Sequence, residues 1–535
     1  MAVDSLDKGH RIAVFTGAPS YSVCKGIAAI ETARPGTRWL VLVHAPPRRV
    51  GRLLRNQWRN LKRNGWRWLP YQLGEILEQL LARGAPAPAP DAPGGAFSLA
   101  GLQERLDLQV RYLPNINSDA GAQALQEFAP DLGLSLAAPI LRDPIFSLPR
   151  QGTLNLHKGK VPDYRGMPPA FWELWHDEQQ VGCTVHAVAA GLDTGDIVCE
   201  TFVARSRYSS LRGWQLQLDE TGVELMRDAA LATLDGNAQA QAQPAGGKTF
   251  RKPTLPQVAA LQKKLATVEP ATGSTARQWL KDAIASSVFA AWRAGGAYLA
   301  PPRITVLLYH RVTDDVRDNL TVGIAQFERQ MQLIRRHCDV LSLAQVLEAD
   351  AIPKSRRPLV AVSFDDGYLD NFSNAAPILQ RYRIPAAFFV TTGIVATNRQ
   401  FPHDQRRENP PIPMMEWAQV RAMHEAGFVV GSHTVNHIDC VAEPEEVVRQ
   451  ELAQSRQDLA ERAGIQNPVF AYPYGGRHQM NAQRLELVKA AGYPACLAAY
   501  GGTNLHRVDR YKVLRRGIHW EFSDRAFLLE CLGLT

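Results

Sequence analysis

The chain has 535 residues, 45% of them hydrophobic and 21% charged, which is too long for one ordinary domain and apolar enough for more than one core. The net charge of +8 is modest for that length, and no uninterrupted apolar stretch is long enough to cross a bilayer. Seven scattered cysteines without CxxC spacing, and an opening Met1 to His10 that carries Asp4, Asp7 and Lys8 where a signal peptide has an apolar core, predict reduced thiols and a cytoplasmic protein.

Arg11 to Phe15 is a short apolar strand, followed by the turn Thr16-Gly17-Ala18-Pro19, a helix from about Ser22 to Thr32 and a second strand from Arg38 to His44. This is the β-α-β opening of a doubly wound sheet, and the absence of GxGxxG argues against a nicotinamide cofactor. Arg48 to Trp68 carries eight Lys or Arg, no acid, and Trp58, Trp66 and Trp68. Such a segment suits an anionic membrane surface, a nucleic acid or a pyrophosphate, and equally a solvated helix face with its tryptophans turned inward. Ala85 to Gly95 reads as an exposed loop, Asp119 to Phe128 as a helix, and Leu132 to Leu136 as a strand.

Next comes Gly152-Thr153-Leu154-Asn155-Leu156-His157. In a strand Asn155 and His157 face the same way, and an amide beside an imidazole suits an oxyanion. Downstream, Gly182 to His186 leads to the carboxylate-bearing turn Gly191-Leu192-Asp193-Thr194-Gly195-Asp196. Taken singly, each motif reads as structural, with Asn and His closing a turn and Asp193 a cap.

Together, Phe15 to Pro19, Asn155-Leu156-His157, Val161 to Gly166, Leu192 to Asp196 and Phe250-Arg251-Lys252-Pro253-Thr254 resemble the formyltransferase family that uses N10-formyltetrahydrofolate, over roughly Arg11 to Thr254. The resemblance implies Asn155, His157 and Asp193 as a catalytic trio, with Pro162, Gly195 and Asp196 beside the folate. Asp193 would relay the proton that the acceptor amine must lose, while Asn155 and His157 stabilise the oxyanion. The family's usual Ser-Leu-Leu-Pro is here Gly159-Lys160-Val161-Pro162, a change that bears on which amine is used.

Asp235 to Gly247 is rich in Ala, Gln and Gly and reads as a surface loop, whereas Leu255 to Thr267 and Thr275 to Ala294 have helical spacing. The expected organisation is a first domain over 1–265, a helical linker over 266–302 that packs the domains together, and a second domain over 303–535.

In that second half, four apolar runs end in polar groups. Ile304 to Tyr309 runs into His310, Leu359 to Phe364 into Asp365-Asp366-Gly367, Phe428 to Ser432 into His433-Thr434-Val435-Asn436-His437, and Val469 to Ala471 into Tyr472-Pro473-Tyr474-Gly475. In parallel α/β folds, chemistry collects at the C-terminal ends of strands. His433 and His437 are four apart, so a helical turn puts both imidazoles on one face, and one carboxylate completes a three-ligand divalent metal site. The second Asp is then a base toward water, whose acidity a cation raises. A plain turn and a helix cap explain either motif alone, but not both together at strand ends.

These motifs resemble the polysaccharide deacetylase family, the NodB-homology carbohydrate esterases. The resemblance implies a distorted (β/α) barrel, Asp365 as general base, and Asp366, His433 and His437 as ligands of a divalent metal such as zinc. Tyr472, Pro473, Tyr474 and Arg516 are expected at the substrate. The family's third motif opens with Arg where this chain has Ala471, which bears on how Asp365 is oriented. Leu307-Leu308-Tyr309-His310-Arg311-Val312 resembles the biofilm-polysaccharide branch and makes His310 the candidate acid, with His519 the weaker choice.

The expected fold class is therefore α/β, a Rossmann-like formyltransferase fold joined to a deacetylase barrel. The simplest single function removes an N-acyl group from a nucleotide- or lipid-linked amino sugar and formylates the freed amine. Its rivals are formylation as a transient mark later removed, methionyl-tRNA formylation, a half that only binds, and a non-haem iron oxygenase in which the second Asp has no role. Nucleic acid is not the expected partner, because Glu269 onward has no basic run of its own.

Overall fold

A computed structural model describes residues 9–47, 95–204, 210–266, 299–407 and 409–534, with isolated positions at 58, 284, 287–289 and 291–292. The basic aromatic segment 48–68, apart from Trp58, and most of the expected linker 266–302 lie outside the described residues. Among the described residues, no helix is long and apolar enough to cross a membrane. The chain forms two compact units that meet in the sequence between Val268 and Glu269.

The first unit opens as strand β1 (Arg11–Thr16), helix α1 (Tyr21–Ala33) and strand β2 (Arg38–His44). It continues through β3 (Leu108–Leu113), α2 (Asp119–Phe128), β4 (Leu132–Ser135), β5 (Thr153–His157), β6 (Gln180–Ala187), β7 (Ile197–Ala204) and α3 (Leu211–Leu234). The strands form one sheet in the order β3-β2-β1-β4-β5-β6-β7. Residues of β1 alternate between two cores: Ile12 and Val14 pack with α1 and α3, while Ala13 and Phe15 pack with α2. That period of two buries both faces of the sheet, each large apolar side chain contributing about 1.5–3 kcal/mol. The strand order reverses between β1 and β4, and β5 lies next to that crevice with His157 at its carboxyl end. The described helix Leu255–Ala266 closes this unit through Leu261 and Leu265 against Trp214 and Leu218.

The second unit is built on parallel strands β8 (Arg303–Tyr309), β9 (Leu359–Phe364), β10 (Ala386–Val390), β11 (Val429–Ser432), β12 (Phe470–Ala471), β13 (Cys496–Leu497) and β14 (Arg515–Gly517). Every residue of β9 and β10 is buried, the pattern of parallel strands covered on both sides. Each strand from β8 to β13 pairs with the next, and β14 returns to β8 with Val306 opposite Arg515. A bridge between Leu497 and Val513 ties β13 to the approach of β14 and completes the ring. All seven strands point the same way, so Tyr309, Phe364, Ser432 and Ala471 deliver His310, Asp365, His433 and Tyr472 to one rim.

Two candidate active sites

In the second unit the rim residues converge on Asp366. Its Oδ1 lies 3.6 Å from His433 Nε2 and 3.4 Å from His437 Nε2, and one donor atom from each of the three side chains falls within 4.8 Å of the others. Asp366 is 1% exposed, and neither of its carboxylate oxygens has a hydrogen-bond partner. A buried carboxylate left without donors is costly unless a cation completes it. Burial pushes Asp366 up, but His437, His310 and His433 outweigh it and hold the group well below the usual carboxylate range. His433 Nδ1 donates to the Ala471 carbonyl at 2.8 Å, which fixes the tautomer and leaves the Nε2 lone pair toward Asp366. The donor set and its geometry fit a divalent cation.

The expected helical turn between the two histidines is not what the chain adopts. Residues 433–437 form a loop in which Thr434 and His437 have left-handed φ of 63° and 56°. The side chains meet because Glu451, on the helix Glu445–Ala463, holds the loop from behind: Oε2 accepts from Val435 N and Asn436 N, both at 2.8 Å, and Oε1 from Asn436 Nδ2 at 2.6 Å. Asp366 is itself left-handed at φ 78°. Such non-glycine conformations are strained and persist where surroundings impose them.

Asp365 points to the other side. Both of its oxygens accept from Arg515, Nη1 to Oδ1 and Nη2 to Oδ2, each at 2.7 Å, and Arg515 is fully buried. Burial raises the Asp365 pKa, yet Arg515 and then His433 overcome it and keep the group ionised. His310 lies within the fields of both carboxylates; burial lowers its pKa, and Asp366 and Asp365 act to raise it.

In the first unit, β5 and β6 run antiparallel with Asn155 opposite His186 and His157 opposite Thr184. Asn155 Nδ2 is 3.1 Å from His186 Nε2 and 3.5 Å from Asp193 Oδ1. His157 Nε2 donates to the Tyr164 carbonyl at 2.7 Å, which turns Nδ1 to Asp193 Oδ2 at 3.5 Å. Asp193, left-handed at φ 51°, also accepts Gly166 N at 3.1 Å. Burial raises its pKa, while His186, His157 and Gly166 N bring the net below the ordinary value. His157 is lowered, chiefly by burial. An ionised carboxylate therefore faces a neutral imidazole and an amide, a set able to take a proton from an amine and to stabilise a developing oxyanion.

Comparison with known proteins separates the two units by family. Residues 108–206 match the formyl transferase family model and residues 353–496 the polysaccharide deacetylase family model. The chain joins a formyltransferase region to a polysaccharide deacetylase region. A methionyl-tRNA formyltransferase of Thermosynechococcus vestitus is 31% identical over 174 residues, 32% of this chain, which spans 50% of that protein. Among solved structures, the Streptococcus pyogenes deacetylase PplD is 24% identical with TM-score 0.37, covering 43% of this chain and 99% of that one. The formyltransferase PseJ of Anoxybacillus kamchatkensis is 24% identical with TM-score 0.25, covering 28% and 79%.

Within the deacetylase region, Tyr474 stands over His437 with ring centroids 4.9 Å apart and is 47% exposed. Tyr472, expected at the substrate, turns inward instead: it is fully buried in a cluster with Phe470 and Tyr493. Pro473 links the two. Arg516 is not brought to the carboxylates either, because its Nε donates to Glu530 at 2.5 Å. Strand alternation explains the exchange, since Arg515 and Arg516 point to opposite faces of β14. Arg515 answers for the Arg missing at Ala471, and nothing local in the sequence marks it. His519 has Glu521 and Glu530 as its charged neighbours, not the two aspartates.

In the formyltransferase region, Gly195 lies so close to β6 that a Cβ there would sit 1.8 Å from the Ala187 carbonyl oxygen. Asp196 accepts Ala187 N through its carbonyl at 2.9 Å and leaves its side chain exposed. Pro162 is buried, and its carbonyl accepts Lys248 N at 3.2 Å. Gly159 lies against His157: a Cβ would stand 2.7 Å from His157 Nε2 and displace the imidazole from Tyr164. His186 joins the trio as a fourth group; its register opposite Asn155 was the available signal.

Proposed function

We propose that this chain remodels an amino sugar, the deacetylase region hydrolysing an N-acyl group and the formyltransferase region formylating the sugar amine from N10-formyltetrahydrofolate. The observation that carries the hydrolytic half is the pairing of two adjacent carboxylates with opposite surroundings: Asp366 without donors beside His433 and His437, and Asp365 clamped by Arg515. A divalent cation such as zinc, held by Asp366, His433 and His437, would polarise the acyl carbonyl and acidify water. Asp365, kept ionised, takes the proton from the attacking water. His310 passes a proton to the amine as its bond to the acyl carbon breaks, leaving a carboxylate and a free amino group.

On the transfer side, the amine attacks the formyl carbon, Asp193 accepts its proton, and Asn155 and His157 face the oxygen that gains charge. The new carbon–nitrogen bond replaces the one to the folate nitrogen, which takes up a proton as it departs. The expected sugar carrier is a nucleotide or lipid, and the expected location cytoplasmic, in keeping with seven free cysteines. The likeness to methionyl-tRNA formyltransferase favours a second reading in which the acceptor is a charged tRNA.

The test is mass spectrometry of nucleotide-linked N-acetyl amino sugars incubated with the enzyme, with and without the formyl donor. The expected products are the free amine without donor and the N-formyl sugar with it. Faster formylation of methionyl-tRNA than of any amino sugar would transfer the conclusion to the second reading.

A further inference from the structure

The segment between α3 and Phe250 reads as a surface loop in the sequence, and from Gln239 to Thr249 every residue but one is exposed. The exception is Gln243, which lies half-buried against the turn that carries Asp193. The segment is pinned on both sides of that turn. Gln241 exchanges two backbone hydrogen bonds of 2.7 and 2.8 Å with Ile197, the first residue of β7. Beyond Gln243, Lys248 N donates to the Pro162 carbonyl at 3.2 Å, and the Lys248 carbonyl accepts Arg165 N at 3.0 Å.

Between these pins, each polar atom of Gln243 has a partner of the right kind. Its Nε2 carries two hydrogens, and two carbonyls receive them, that of Gly195 at 2.7 Å and that of Asp193 at 3.0 Å. Its Oε1 accepts Arg165 Nη2 at 2.7 Å, while Arg165 Nε donates to the same Asp193 carbonyl at 3.1 Å. A guanidinium only donates and a carbonyl only accepts, so the amide stands one way round. The next residue, Gly166, donates its N–H to Asp193 Oδ2 at 3.1 Å. Asp193 is thus held at both ends, its carbonyl by Gln243 and Arg165 and its carboxylate by Gly166. It needs holding because it is left-handed at φ 51°, a strained conformation outside glycine that persists where neighbours impose it.

We propose that Gln243 is a positioning residue for formyl transfer: its amide hydrogens fix the Asp193 and Gly195 carbonyls, and with them the direction of the Asp193 carboxylate toward His157. The inference rests on the reading of Asp193 as the group that takes the amine's proton. A misplacement of about 1 Å in such a group can cost on the order of 10²-fold in rate.

The experiment combines residue-resolved hydrogen exchange with formyl-transfer kinetics on the full-length protein. In Gln243→Ala the Gly166 amide, whose acceptor is the Asp193 carboxylate, is expected to exchange about tenfold faster. The kcat for formyl transfer, to an amino sugar or to methionyl-tRNA, is expected to fall about 10–100-fold with the acceptor KM within about threefold. Deacylation, which uses residues of the other unit, should keep its rate. Gln243→Glu preserves the size and shape of the side chain but turns an oxygen toward both carbonyls, so it should behave as Gln243→Ala does. Unchanged Gly166 exchange in Gln243→Ala, or normal exchange and transfer in Gln243→Glu, would overturn the proposal. If Gln243→Ala does not fold, Gln243→Met replaces it, filling similar space without a donor, and unchanged Gly166 exchange there overturns the role. Asp193→Asn is the separate control. Full formyl transfer in that variant would remove the reading on which the proposal stands, whatever Gln243 does.

Discussion

Arg515 and Asp365 are 150 residues apart in sequence and share two parallel hydrogen bonds of 2.7 Å inside the barrel. The fork geometry sets the plane of the carboxylate as well as its charge. Arg515→Ala is expected to cut deacylation by about 10²-fold or more while leaving metal content near normal. It should also lower stability by roughly 3–5 kcal/mol, because Asp365 is left buried without a counter-charge. Lys at this position should not restore the rate, since it lacks the planar fork. Metal analysis and thermal melts alongside rate measurements check all three; metal lost together with activity would mean that the two carboxylates had been given the wrong roles.

Glu451 is placed at neither substrate nor metal, yet it holds two of the three backbone amides between the paired histidines, those of Val435 and Asn436. Glu451→Ala should let His437 wander and weaken metal binding by about 10–100-fold. Hydrogen exchange at the Val435 and Asn436 amides should accelerate in step. Unchanged exchange would show that the loop keeps its shape without the carboxylate.

Asp193→Asn should abolish formyl transfer and leave deacylation untouched, because the two reactions use separate residues. A variant that still transfers formyl at a normal rate would remove Asp193 from the proton path.

Glu173 supplies a pH test away from chemistry. Burial pushes its pKa up to about 7, even though its Oε1 accepts Lys160 N and Gly182 N, both at 3.1 Å. The folded state therefore holds a proton that the unfolded state has lost between pH ~4.5 and ~7, so stability is full below that window and declines as pH rises through it. The decline is on the order of 3 kcal/mol. Melts of Glu173→Gln should lose this dependence; the same slope in both proteins would place its origin elsewhere.

Most of the residues that the two candidate sites gather were readable because they are written locally. Asp365-Asp366-Gly367 and Asn155-Leu156-His157 each follow an apolar run whose period marks a strand, and a strand end in a parallel sheet is a place where polar groups gather. What holds those groups in place was not readable. Arg515 and Glu451 reach the site through strand register and helix packing, neither of which leaves a local pattern. The expected helical turn from His433 to His437 failed for the same reason: spacing of four is compatible with a helix, but Glu451, distant in sequence, binds the Val435 and Asn436 amides of a loop in which Thr434 and His437 are left-handed. Tyr472 and Arg516 were placed at the substrate from the neighbourhood of a motif, and alternation along a strand turned both away.

The bridge from Leu497 to Val513 closes the barrel only after its other strands exist, and this gives the molecule an order in time. A ribosome releases β9, with both carboxylates, well over a hundred residues before β14, and the loop of paired histidines about midway between them. Once that loop is out, and until β14 follows, the nascent chain holds every proposed metal ligand but lacks the Arg515 guanidinium that restrains Asp365. Hydrolysis is thus expected to begin with the docking of the last strand, so a chain interrupted before Arg515 would be a binder of metal rather than an enzyme.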